Sequence, residues 1–257
     1  MFLIFYYTFI MKVHVFEDTE SLSEFASNEL FELLRHKPGA VICLASGDSL
    51  KRTCELFVQK VRGEKINLSE FTFIGLDEWV GIAPNIKGSC RNDFEKRIFE
   101  PISLSPAQYH LFDALSDNPE KECRDMDNYI KEKGGIDLMI VGIGMNGHIG
   151  FNEPGTDHTL LSHVVGLDET TVSIGQKYFT QAVSLKKGIT LGLAHLMGSK
   201  KVFLLAHGIK KSGVIKKAVE GAVSNSFPAS IMQHHKNGFI LVDKEAGSLL
   251  AKKIIQQ

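Results

Sequence analysis

From Gly142 to Gly155 the chain reads GIGMNGHIGFNEPG, and Asn146, His148, Asn152 and Glu153 fall within eight of those positions. An imidazole titrates near neutrality, and a carboxylate close to it can orient and tune it. His148 with Glu153 is therefore a pairing suited to general acid-base work, and Asn146 can hold the histidine without adding charge. Gly142, Gly144 and Gly147 let the backbone turn sharply and come close to a ligand. Asp77, which closes the apolar run Phe71 to Leu76, is a further carboxylate placed to move a proton at a crevice floor. Each residue also has an ordinary alternative, since a lone histidine is often structural and a strand-end aspartate often caps a helix.

The tetrad Ser46-Gly47-Asp48-Ser49 follows the apolar AVICLA and precedes a helical pattern. Backbone N–H groups and the helix dipole at such a junction favour phosphate. Asp48 either repels that phosphate, unless it turns away, or caps the helix. GIGMNG superficially matches GxGxxG, but the acidic, proline-broken FNEP follows where that fingerprint requires a helix, so no dinucleotide is expected. HxxxH and HExxH spacings do not occur, and neither a metal nor any other cofactor is expected.

These residues need elements to hold them. Apolar, β-branched runs predict strands at Val13 to Phe16, Val41 to Ala45, Phe71 to Leu76, Ile136 to Val141, Ile189 to Leu193, Val202 to Ala206 and Phe239 to Val242. Helical spacing predicts helices at Ser21 to Leu34, Leu50 to Val61, Pro119 to Lys133, Lys210 to Glu220 and Lys244 to Ile255. The alternation is that of an α/β, doubly wound, mostly parallel sheet with flanking helices. Such sheets bind ligands beyond the carboxyl ends of their strands, where the Ser46, Asp77 and Gly142 segments each begin. Asp157 to Lys187, with His158, His163, Asp168 and Lys177, is the least strand-like stretch.

A length of 257 residues suffices for one well-buried domain, expected over residues 11 to 257. A net charge of -1, with 29 basic and 30 acidic residues and no long run of either sign, points away from nucleic acid and membrane and towards a small-molecule partner. A homo-oligomer is allowed but not required. The four cysteines form no CxxC and suit a reduced, cytoplasmic protein, with Cys43 packing inside its strand. Residues 1 to 10 are apolar, yet they lack a positive n-region and are too short to span a bilayer; an N-terminal extension is expected.

NGHIGFNEPG resembles the signature of the glucosamine-6-phosphate deaminase (isomerase) family. LDEWVG, VICLASGDS, GITLG, KAVEG and PASI with the following His234 are similar to further family segments, in order, over about residues 12 to 245. The resemblance implies a Rossmann-like fold with a mobile lid over Asp157 to Lys187. It implies conversion of a 2-amino-2-deoxyhexose 6-phosphate to a ketohexose 6-phosphate and ammonia. Asp77 would move the proton between carbons 2 and 1, His148 would open the ring, and Glu153 and Asn146 would support it. Many relatives carry aspartate where Asn146 stands. Ser46, Gly47, Asp48, Ser49, Gly144, Lys177 and Lys211 would bind the substrate, with Lys177 replacing an arginine and so losing bidentate recognition. KGGIDLMIVGIGMNGHIG, the AVICLASG strand and LDEWVG look closer to the galactosamine-6-phosphate branch than to the enteric glucosamine-6-phosphate enzyme. His163 and Val165 fall where the enteric relative has the basic residues of an effector phosphate site, which implies that N-acetyl-sugar-phosphate activation is lost. A 6-phosphogluconolactonase is the enzymatic alternative, opposed by FNEPG where that enzyme typically continues ASLFPG. A noncatalytic sugar-phosphate sensor is the other, suggested by Asp48, Asn146 and Lys177.

Overall fold

The computed structural model describes residues 11–252 except 65, 67 and 69; the expected extension at residues 1 to 10 lies outside them. In chain order the strands are β1 (Lys12–Phe16), β2 (Val41–Leu44), β3 (Thr72–Gly75), β4 (Asp77–Trp79), β5 (Tyr109–His110), β6 (Leu138–Gly142), β7 (His163–Gly166), β8 (Lys187–Thr190), β9 (Val202–Ala206) and β10 (Gly238–Asp243). The helices are α1 (Thr19–His36), α2 (Lys51–Glu64), α3 (Cys90–Phe94), α4 (Pro119–Glu132), α5 (Glu169–Gly175), α6 (Leu193–Gly198) and α7 (Ser212–Glu220). Seven strands form one sheet in the order β1-β10-β9-β6-β2-β3-β5, and every ladder in it is parallel.

Sequence chemistry explains the frame. VICL and VFLLA are buried at every position, as a parallel sheet covered on both faces requires. Helix α1 starts where Asp18 and Ser21 form a capping box, and it buries Leu22, Ala26, Leu30 and Leu34 at four-residue spacing. At the opposite end of the sheet from the glycine-rich turns, the buried Asp137 carboxylate pairs with Lys37 and Lys200 and accepts the Val41 N–H at 2.9 Å. It thereby ties the starts of β2 and β6 together.

The expected strand at Ile189 to Leu193 is instead β8, and it belongs to a second, antiparallel sheet in the order β4-β8-β7. Asp77 does not close β3 but opens β4, so the chain changes sheets at Leu76. The Leu76 N–H bonds Leu44 of the parallel sheet at 3.2 Å, and its carbonyl accepts from Leu191, just beyond β8, at 2.8 Å. The section from Asp157 to Lys187 holds β7 as well as α5; a four-residue, half-buried strand gives little alternation to detect. No helix forms at 244–249. The Asp243 carboxylate accepts from Ala246 at 2.8 Å and the Asp243 carbonyl from Gly247 at 2.9 Å, turning the chain instead; the end of the expected helix, from residue 253, lies outside the described residues. Among the elements without an expectation from sequence are α6, the edge strand β5, and α3, which continues as a π-helical segment through Glu95–Phe99.

Candidate active site

Beyond the carboxyl ends of β2, β3, β6 and β9 lies a cleft of about 1360 Å³, where the Ser46, Asp77, Gly142 and His207 segments meet. The parallel sheet thus collects residues far apart in sequence at one end of the molecule.

Asp77 lines the floor, open to the cleft on one side and enclosed by protein elsewhere. Burial, and then the neighbouring Glu78 carboxylate, push its carboxyl up to about 7, against a hydrogen bond from the Cys90 thiol at 3.5 Å. A base poised there can both take and return a proton near neutral pH. Glu78 itself is buried and accepts N–H donors from Trp79, Cys90 and Arg91 at 2.8 to 2.9 Å. It clamps β4 to the start of α3 and so fixes the strand that carries Asp77. Burial pushes Glu78 above the ordinary range while those three donors oppose it.

His148 lies across Gly144. A Cβ there would fall 2.3 Å from the imidazole Nε2, so this glycine makes room for the ring more directly than for a ligand. Nδ1 faces Thr171 Oγ1 at 3.0 Å and Glu153 Oε2 at 3.3 Å. Asn146 accepts the His148 backbone N–H at 3.2 Å and donates to Glu153 at 2.9 Å, bracing the loop and the carboxylate. Burial raises the Glu153 carboxyl, but His148, Thr171 and Asn146 outweigh that and hold it below the ordinary range, so it stays ionised. Thr171, which the sequence reading did not single out, belongs to α5. That helix roofs the cleft, with Gly175 allowing the Trp79 ring to approach its backbone closely.

Around Ser46 to Ser49, Gly47 adopts φ +97°, a left-handed conformation that glycine takes without strain. Arg97 donates to the Gly47 carbonyl at 3.0 Å and to Asp93 at 2.6 Å, bracing the loop from the π-helical segment. Ser49 sits against Gly142, where an added Cβ would meet Ser49 Oγ at 3.1 Å. Asp48 is not the helix cap; Gly47 holds that position and makes no side-chain cap. Asp48 instead pairs with Lys177 of the roof at 2.7 Å, both half exposed. Lys211 reaches the Ile143 carbonyl at 2.5 Å, and burial, then the Lys177 charge, lower its pKa. The expected site residues thus surround one cleft, with Glu153 and Asn146 supporting from behind His148. Cys90, Thr171, Asp93 and Arg97 join them from elements that no local pattern connects to it. Among the described residues no group of three or more His, Cys, Asp or Glu side chains is placed to hold a metal ion.

Residues 17–241 match the family of glucosamine-6-phosphate isomerases/6-phosphogluconolactonase. A glucosamine-6-phosphate deaminase of Bacillus pumilus is 37% identical over 240 residues, covering 93% of this chain and 100% of that protein. Glucosamine-6-phosphate deaminase 1 of Bacillus subtilis is 34% identical, covering 93% and 99%. Among solved structures, a monomeric glucosamine-6-phosphate deaminase superposes with a TM-score of 0.89 at 34% identity, covering 93% of this chain and 100% of that one. The 6-phosphogluconolactonase of Trypanosoma brucei shares the fold, with a TM-score of 0.74 at 18% identity over 94% of this chain and 99% of that one.

Proposed function

The chain belongs to the glucosamine-6-phosphate isomerase/6-phosphogluconolactonase family, and from that premise we propose that it converts a 2-amino-2-deoxyhexose 6-phosphate and water to a ketohexose 6-phosphate and ammonia. The observation that carries this reading is the meeting, in one cleft, of Asp77 held at about 7 and a carboxylate-backed His148, beside the Ser46 to Ser49 turn. His148 accepts the proton of the anomeric hydroxyl and returns one to the ring oxygen, opening the pyranose. Asp77 removes the proton on carbon 2, alpha to the aldehyde, giving an enolamine, and delivers a proton to carbon 1. Water then adds to the resulting imine at carbon 2, and ammonia leaves. Backbone N–H groups of the turn, with Lys211 and Lys177, receive the phosphate.

The names of the relatives favour the gluco epimer, while KGGIDLMIVGIGMNGHIG and LDEWVG favour the galacto branch. Four free, buried thiols suit a reducing compartment, and we place the reaction in the cytoplasm. The test is ammonia release from both amino-sugar 6-phosphates, with 6-phosphogluconolactone hydrolysis measured alongside. Ammonia from either sugar supports the proposal. No ammonia from either, with or without lactone hydrolysis, overturns it.

A further inference from the structure

We propose that Thr171 is a positioning residue for His148, accepting the Nδ1–H beside Glu153 and thereby fixing which ring nitrogen carries the proton; the role rests on the deaminase reading above. Thr171 is 4% exposed, so its hydroxyl requires protein partners. Its Oγ1 stands 3.0 Å from His148 Nδ1, closer than the 3.3 Å from that nitrogen to Glu153 Oε2. A carboxylate only accepts, so the Nδ1 that faces Glu153 Oε2 must carry the proton, and the Thr171 hydroxyl, the nearer of the two, accepts that Nδ1–H through a lone pair. The Nδ1–H is thus shared between Oγ1 and the Glu153 carboxylate. It leaves Nε2, on the Gly144 side of the ring, without a proton and free to take one from the substrate.

The hydroxyl comes from the roof of the cleft, which the fold seats at both ends. At its start, Asp168 caps α5 through Thr170 N–H at 2.9 Å and donates its own N–H to Glu153 Oε1 at 3.3 Å. At its end, Gly175 abuts Trp79 and Lys177 pairs with Asp48. Seating the roof and setting the histidine's proton are consequently one event, and a substrate-free protein with α5 displaced would hold His148 only by the longer contact to Glu153.

Thr171→Val keeps the shape and removes the hydroxyl, whereas Thr171→Ser keeps the hydroxyl. For Thr171→Val we expect turnover of the cyclic substrate to fall about ten-fold, while KM and inhibition by inorganic phosphate stay within about two-fold. Thr171→Ser should recover most of the loss. In the ligand-free protein, the imidazole ¹⁵N shifts of His148 should report the Nδ1–H tautomer in the parent and in Thr171→Ser, and a growing Nε2–H fraction in Thr171→Val. An unchanged tautomer in Thr171→Val, or equal damage from Val and Ser, overturns the proposal. Failure of the parent to release ammonia would defeat the deaminase reading alone, because the ¹⁵N measurement does not depend on turnover.

Discussion

Asp77 would serve as the proposed base for the reason that makes it unfavourable for folding. Burial and the Glu78 charge lift its carboxyl from 3.8 to about 7, so the native state keeps the proton to higher pH than the unfolded chain does. Stability therefore falls as pH rises between those values, by up to ~4 kcal/mol once the group is fully ionised. Activity moves the opposite way, because only the ionised form takes the proton from carbon 2, and kcat/KM should climb through an acid limb near the same pH. Asp77→Asn is expected to lower turnover on the order of 10² to 10⁴-fold while raising Tm at pH 8. Near-parental ammonia release from a folded mutant, or a Tm no higher than the parent's at pH 8, would contradict the assignment. At this scale the sequence revealed His148, Asn146 and Glu153 because one loop holds all three. Thr171 and Cys90 lie 23 and 13 positions from the groups they touch, and no local spacing links such residues.

The roof element and the phosphate turn meet through Asp48 and Lys177, and their pairing sets a second expectation. A substrate phosphate bound as proposed would share Lys177 with a carboxylate already 2.7 Å away. An exposed ion pair is worth ~0.2 to 1 kcal/mol, a factor of roughly 1.4 to 5 in affinity. Asp48→Gly should accordingly lower the KM for the amino-sugar phosphate by a few-fold and strengthen competitive inhibition by inorganic phosphate. A raised KM would mean that Asp48 serves mainly to order the roof. The long helices and the fully buried strands were legible as elements because each repeats its pattern over several residues. β5 spans two residues and β4 three, too few for a period to show. The turn that replaces the expected helix after β10 is set by Asp243, whose carboxylate also accepts from Gly208, 35 positions away.

Taken as a whole, the molecule presents β7 as one edge of its smaller sheet, and His163 and Val165 lie on that strand. A histidine and a valine supply no permanent positive charge, and an effector shifts an equilibrium only through differential binding to its states. Saturation should be hyperbolic, and an N-acetylated sugar phosphate should leave the curve unchanged. Rate curves that turn from sigmoidal to hyperbolic with that compound would show that another basic cluster serves. The parallel alternation was readable from sequence, whereas the sheet change at Leu76 was not, since β4 follows β3 after one residue and its three residues, Asp77 to Trp79, show no period. The order of the larger sheet also dictates when the molecule can be completed during synthesis. Among the described strands, β1 comes first in the chain and pairs only with β10, which comes last. Until Gly238–Asp243 is made, the hydrogen-bonding row of β1 is an open edge beside the apolar face of α1, a template for pairing with other chains. A chain stopped after Gly221 should therefore aggregate, and be cut near its N-terminus by protease at doses the full chain survives. Equal resistance of the shortened chain would mean that β1 finds another seat.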